Sequence, residues 1–334
     1  WRRRRMSADA GAQGPRRAPP AGGAREGGVP RATGRHFGWS ARHAPCLTVA
    51  PGTTVEFVLD DPSDGQLSPE SVAADLGRLD WDRVPPLCGP VAVEGARPGD
   101  ALRVTVEEVE PGSWGWTAVL PDFGLLADDF PEPALHIWEL RPGATHAVFA
   151  PGVRVPLKPF TGEIGVAPAG PGVQAALAPG RFGGNLDTRD LGAGSVLLLP
   201  VEVEGALFSC GDGHAAQGDG EVCGTAIEAP MTVHLRLDLV KDAHLRAPSF
   251  STPGPVTRHL DAAGYEVTLG IGPDLMEAAR DAVREAVAAL SVARGLSAAD
   301  AYMVCSVCGD LRITEIVDAP NWVVAFYLPR SIVA

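Results

Sequence analysis

Within eleven residues, Gly211-Asp-Gly-His-Ala-Ala-Gln-Gly-Asp-Gly-Glu221 sets Asp212, His214, Gln217, Asp219 and Glu221 among four glycines, framed by the apolar Ala206-Leu-Phe208 and Val222. Carboxylates and an imidazole held on one turn can ligate a divalent metal or shuttle protons. The glycines let the backbone approach a ligand closely and take positive φ. Upstream, Gly183-Gly-Asn-Leu-Asp187 adds an amide and a further carboxylate. On the residues alone two readings stay open, because Asp-Gly pairs also mark ordinary hairpin turns whose Asp and His are merely solvated. A calcium loop fits poorly, since the acidic positions do not alternate towards a terminal Glu.

The elements that must position these groups read mainly as strands. From Leu47 to Leu269 the chain is dense in Gly and Pro, with turn signals every eight to twelve residues. Cys46–Val49, Thr54–Leu59, Val91–Glu94, Ala101–Val106, Ser195–Leu199, Ala206–Ser209 and Thr232–Leu239 show alternation or β-branched enrichment. After Gly272 the period changes. Leu275, Met276, Ala279, Val283, Val287 and Leu290 recur at helical spacing until Gly295, with Pro273 placed to take the first helical position. Ser297 and Asp300 resemble a capping box that starts a second helix towards Cys305, and Leu311–Val317 and Trp322–Leu328 close the chain as strands.

The expected fold is mainly β with an α+β C-terminal part: a β-sandwich or jelly-roll-like body with a barrel-like insertion, and an α/β unit near the C-terminus. Residues 1–34 hold almost no large apolar side chains and are expected to be a disordered basic tail. Residues 35–270 form the body, carrying the loop 211–221, and 271–330 the C-terminal unit.

Charge separates the two ends. Residues 1–35 hold nine Arg against Asp9 and Glu26, +7, so the rest of the chain carries −20 of the net −13. So acidic a body repels phosphate backbones, which argues against nucleic acid as a partner. Cysteines 46, 88, 210, 223, 305 and 308 form no dense framework and read as reduced thiols. The Cys305-Ser-Val-Cys308 pair lacks the second pair or nearby His of a zinc ribbon, and reads as a buried helix end. No stretch reaches the apolar length of a bilayer span and no signal peptide follows the Arg-rich start, so a cytoplasmic protein with no membrane partner is expected. Trp1 precedes the first methionine, Met6, which suggests an over-extended reading frame.

The run from Gly183 to Pro230, GGNLDTRDLGAGSVLLLPVEVEGALFSCGDGHAAQGDGEVCGTAIEAP, resembles the signature region of the acetamidase/formamidase family. The similarity extends in order through His36-Phe-Gly-Trp39, Gly89–Gly95, Pro98-Gly-Asp100, Phe160-Thr-Gly-Glu-Ile-Gly-Val-Ala-Pro168, Tyr265, Gly272–Ala279 and Ser306–Ile313, and so spans residues 36 to 330. Ser40 stands where an acidic residue commonly follows the Trp, and Pro85 where a His often precedes Pro86. The resemblance implies hydrolysis of short aliphatic amides such as formamide or acetamide to carboxylate and ammonia. It also implies a divalent metal, zinc being the expected ion, a β-rich fold and a homo-oligomer.

Such a reaction needs an activated water, a stabiliser for the oxyanion and an acid for the leaving nitrogen. Asp187, Asp212 and His214 are the expected metal ligands. Glu221, with His214 and Asp219 as further catalytic candidates, would carry the proton, and Asn185 with backbone N–H groups of the loop would hold the oxyanion. Gly213 and Gln217 are candidate substrate contacts; His36 and Asp60 are weaker candidates. The rival readings are that Asp187 pairs with Arg189, that Glu221 is structural, and that Asp219 takes its role. Cys210 and Cys223 flank the motif, but no Lys lies near to complete a Cys–Glu–Lys set, and no Gly-Ser-Ser signature occurs, so a covalent mechanism is disfavoured. Hydrolysis of a larger, cyclic or urea-like amide, and a non-catalytic metal-binding β domain, are the alternatives.

Overall fold

The computed structural model describes residues 28–332. Most of the expected tail therefore lies outside the described residues. Its end does not behave as a tail, because Arg31–Ala32 pairs in parallel with Glu56 and Phe57 and buries Ala32.

Alternation builds the body. In Thr53–Leu59 the residues Val55, Phe57 and Leu59 are buried, and in Met231–Val240 so are Met231, Val233, Leu235 and Leu237; these are inward sets two residues apart. The two strands join a six-stranded sheet in the order 31–32, 53–59, 231–240, 101–111, 196–200, 249–251. A second sheet runs Gly183–Asn185, Phe160–Gly165, Phe208–His214, Leu87–Val93, Arg35–His36, with Leu47–Val49 also beside Leu87–Val93. Their inner faces share one apolar core, in which Phe57 and Phe208 meet edge to face at 5.6 Å. The body is thus the expected sandwich. The barrel-like insertion is not found: among the described residues no sheet closes, and the insertion consists of two hairpins, Trp114–Val119 with Ala134–Glu139 and His146–Ala150 with Val153–Pro156.

The C-terminal unit begins earlier than residue 271. Tyr265–Gly272 pairs along its whole length with Trp322–Pro329, which also pairs with Asp310–Glu315. Helix α1 (Leu275–Arg294) covers this sheet. Its cap is Asp274, which accepts from the backbone N–H groups of Met276 and Glu277, so Pro273 precedes the cap instead of opening the helix. Helix α2 (Ala298–Cys308) is capped by Ser297 as the sequence suggests, and Ala301 to Cys308 are all buried. It packs in one core with α1, both hairpins and the segment 215–229. Cys305 and Cys308 are free and buried on it, in keeping with a helix end. No single helix among the described residues is long and apolar enough to cross a membrane.

A buried ion pair locks this unit to the body. Arg189, 2% exposed, donates to both oxygens of the fully buried Asp310 and also lies 3.3 Å from Asp219. Burial alone would push the Asp310 carboxyl up, but the hydrogen bonds and charge of Arg189 outweigh it and hold the group below its ordinary value. The pair's contribution is therefore intact at neutral pH and fades as the pH falls through that lowered pKa. Replacing Arg189 by Met removes the main partner of the buried Asp310 carboxylate and leaves it Arg312, 3.1 Å away, as its remaining cation, and we expect a loss of about 3 kcal/mol in unfolding stability at pH 7. An unchanged denaturant midpoint would contradict this.

Candidate metal centre and active site

Three strand ends and one loop bring the chemistry together. Gly183–Asn185 pairs with Phe160–Gly165, whose other edge takes Phe208–His214. Gly211 to His214, with the texture of a turn in the sequence, is therefore the buried end of a strand, and the irregular loop begins at Ala215. That loop is pinned from the C-terminal side. The N–H of Gly218 donates to Ser306 O, the N–H of Asp219 to Asp310 Oδ1, and the N–H of Cys223 to Ser306 Oγ. Gly218 sits so close to the end of α2 that a Cβ there would lie 1.9 Å from Gly309 O.

Asp187, Asp212 and His214 converge so that one ligand atom from each lies within 4.8 Å of the others. They converge over Gly162. A Cβ at that position would stand 2.6 Å from Asp187 Oδ1, 2.7 Å from Asp212 Oδ2 and 2.7 Å from His214 Cε1, so the missing side chain is the space they occupy. Asp187, Asp212 and Glu221 all have positive φ, at 43°, 55° and 44°. For residues with a Cβ this conformation is strained, and such strain gathers where geometry serves a ligand.

His214 is buried, with Phe160 edge-on to its ring at 5.1 Å. Its Nδ1 meets Gln217 Oε1 at 2.9 Å, and Gln217 Nε2 donates to Asp187 O. Its Nε2 faces Asp212 Oδ2 at 3.2 Å and Glu228 Oε2 at 3.1 Å. Glu221 and Glu228 form a second group around the same imidazole, again within 4.8 Å. Glu163, on the central strand, is fully buried, and neither of its carboxyl oxygens has a hydrogen-bond partner.

So many carboxyls around one imidazole cannot all carry charge unaided. Burial and the neighbouring Asp212 push Glu163 far above its ordinary pKa; burial and Asp187 do the same to Glu221. Burial raises Asp187 and Glu228 to about 7, with His214 opposing the rise in each case. Burial disfavours the charged form of His214, but Glu228 and Asp212 outweigh it and hold the imidazolium well above its usual range. The cluster demands positive charge, and protons or a divalent cation can supply it.

Other expected residues stand apart or take different positions. Asn185 Nδ2 donates to Asp187 Oδ2 at 2.6 Å, so this amide orients Asp187 instead of waiting for an oxyanion. The loop N–H groups of Ala215, Gly218, Asp219 and Glu221 are likewise committed to protein acceptors. Asp219 turns to Arg189, half exposed, away from the cluster. Arg189 itself pairs with Asp310, not with Asp187. A Cβ on Gly213 would meet Ala229 O at 2.5 Å and Met231 Cβ at 2.9 Å, so that glycine is a point of close packing between segments. Gln217 is spent on holding the His214 ring. His36 is tied to Ser209 Oγ and Gly38 O and stacks on His43, while Asp60 is an exposed partner of Arg35. Ser40 bonds Gly172 O and plays a local part. Burial raises the Cys210 thiol far above its ordinary value and the Cys223 thiol to about 11, which suits neither to nucleophilic attack.

Glu163 and Glu228 carry no assignment from the sequence. Each is a lone acid in an apolar stretch, Phe160–Pro168 and Thr225–Pro230, and that isolation is the signal that marks them.

Comparison with known proteins identifies the family. A model of the Acetamidase/Formamidase family matches residues 31–176 and 170–334. A putative formamidase of Schizosaccharomyces pombe is 28% identical over 288 residues, 68% of this chain and 70% of that protein. Among solved structures, a gamma lactamase from Delftia acidovorans is similar at a TM-score of 0.82 and 26% identity, covering 90% of this chain and 89% of the other. An acetamidase from Bacillus halodurans is similar at 0.64 and 31% identity, covering 90% and 97%. With nearly its whole described length matched by the family model, this chain belongs to the acetamidase/formamidase family of amide hydrolases.

Proposed function

We propose that the chain hydrolyses short linear aliphatic amides, formamide and acetamide among them, with a divalent cation at the cluster. The carrying observation is the convergence of Asp187, Asp212 and His214 over Gly162, with Glu221 in contact with Asp187. The residues fit a cation. Asp187 Oδ1, Glu228 Oε2 and His214 Nε2 are buried atoms without hydrogen-bond partners, and the space above Gly162 is bounded by carboxylate oxygens of Asp187 and Asp212 and by the His214 ring. Asp187, Asp212 and His214 would hold the ion, zinc being the expected one. Bound there, it supplies Lewis acidity, polarising a carbonyl oxygen and acidifying water.

The chain's own residues do the rest. Glu221, held well above its ordinary pKa by burial and by Asp187, is the group suited to take a proton from water and return it to the leaving nitrogen. Gln217 fixes the His214 ring, and Asn185 fixes Asp187. The partly exposed Asp187 and Glu221 mark the side from which substrate enters. A second reading, a cyclic amide as substrate, is supported by the higher TM-score of the neighbour described as a gamma lactamase.

Ammonia release from formamide, acetamide and propionamide, set beside opening of a γ-lactam ring, separates the two readings. Turnover of the linear amides with loss on chelation and recovery with zinc is the expected result; preference for the lactam would favour the second reading, and activity indifferent to thorough chelation would remove the cation. Glu221→Gln should lower kcat about 10²–10⁴-fold while zinc content stays near that of the wild type, and a kcat within a few-fold of wild type would return Glu221 to a structural role. Gly162→Ala should cost about 100-fold or more in kcat/KM by displacing the three ligands, together with about 1–3 kcal/mol of unfolding stability from overpacking. Full activity in that variant would show that the convergence over Gly162 is not needed.

A further inference from the structure

The amide of Gln217 settles which nitrogen of His214 is free. Its Nε2 donates to Asp187 O, so its carbonyl oxygen is the atom turned to the ring, and His214 Nδ1 must carry the hydrogen of that 2.9 Å contact. A neutral ring then presents a lone pair from Nε2, and it points among carboxylate oxygens: Asp212 Oδ2 at 3.2 Å and Glu228 Oε2 at 3.1 Å. A proton on Nε2 relieves the charge without completing the geometry. Despite the short distances, neither oxygen lies in line for a hydrogen bond, and both Nε2 and Glu228 Oε2 are left without a partner.

Glu228 cannot relieve the contact by turning to water. It is 4% exposed, its Oε1 accepts from the N–H of Ala226 at 2.8 Å, and its backbone exchanges two hydrogen bonds with Trp116. The side chain is held rigidly with its second oxygen aimed at the imidazole lone pair. Two donor atoms about 3.1–3.3 Å apart are the spacing that one cation with bonds of about 2.0–2.1 Å imposes on neighbouring ligands.

We infer that Glu228 is a protein ligand of the cation, alongside Asp187, Asp212 and His214. The inference rests on the cation reading proposed above and adds to it a residue from outside the Gly-rich loop. The segment that bridges to Trp116 then contributes directly to the centre, with His214 as the ligand that joins Glu228 to Asp187 and Asp212. Glu221, by contrast, stays free for proton transfer.

Zinc binding distinguishes this role from a structural one. Chelator-stripped wild type, Glu228→Gln and Glu221→Gln are titrated with zinc against a chromophoric chelator, with bound metal counted by mass spectrometry. We expect Glu228→Gln to bind zinc at least about 10–100-fold more weakly than wild type while Glu221→Gln binds it nearly unchanged. Equal affinity in all three would overturn the inference. A zinc-soaked wild-type crystal gives a reading independent of whether the variants fold: anomalous density within bonding distance of Glu228 Oε2 supports the assignment. Zinc on Asp187, Asp212 and His214 with Glu228 aloof overturns the inference alone, and failure of the wild type to bind a divalent ion overturns it together with the cation reading.

Discussion

Negative charge crowded into a buried space is the constraint on which the site depends. Glu163, Asp187, Glu221 and Glu228 all feel the same imidazole, and burial penalises each of these carboxylates before its neighbours are counted. A cluster of this kind is tolerable only if the fold fixes it firmly and something positive occupies its centre. Rigid scaffolding and electropositive demand are therefore two sides of one design. Strain enters for the same reason. Asp187, Asp212 and Glu221 are held at positive φ, a cost that packing elsewhere must offset.

The fold meets the first requirement by converging supports from distant parts of the chain. The sandwich supplies adjacent strands, and the absent side chain of Gly162 opens the space between them. The segment after Asp187 and the loop before Glu221 are then tied to a third element, the junction of α2 with the last sheet, through Arg189, Asp219 and Asp310. Asp219 thus looks like a catalytic acid in the sequence and serves as part of a clamp in the structure. Its distance from the chemistry does not make it dispensable, because the loop that carries Glu221 runs through it.

Much of this architecture is legible in the amino-acid sequence itself. Alternation marks the sandwich strands, helical spacing marks the first helix, Ser297 with Asp300 marks the start of the second, and the mixture of Asp, His and Gly at 211–221 marks the cluster. What the sequence does not show has physical causes. Gly211 and Gly213 look like turn glycines, yet they sit in a strand because neighbouring backbone at Pro86 and Ala229 approaches too closely for a Cβ. Glu163 and Glu228 lie in apolar stretches where local pattern assigns no role to one acid, and their place in the cluster emerges only when pairing brings Glu163 opposite Asn185 and Glu228 against His214. His36 and Asp60 are polar residues with satisfied local partners, and nothing in the linear sequence separates that case from a site residue.

The central claim is that a cation, not a set of shared protons, completes this cluster for catalysis. Stepwise addition of zinc to chelator-stripped enzyme, with bound ion and ammonia release measured on the same samples, tests it most directly. The account predicts that activity rises in proportion to bound zinc and levels off when each chain holds its ion. Full activity in the stripped enzyme, unchanged as zinc binds, would contradict it.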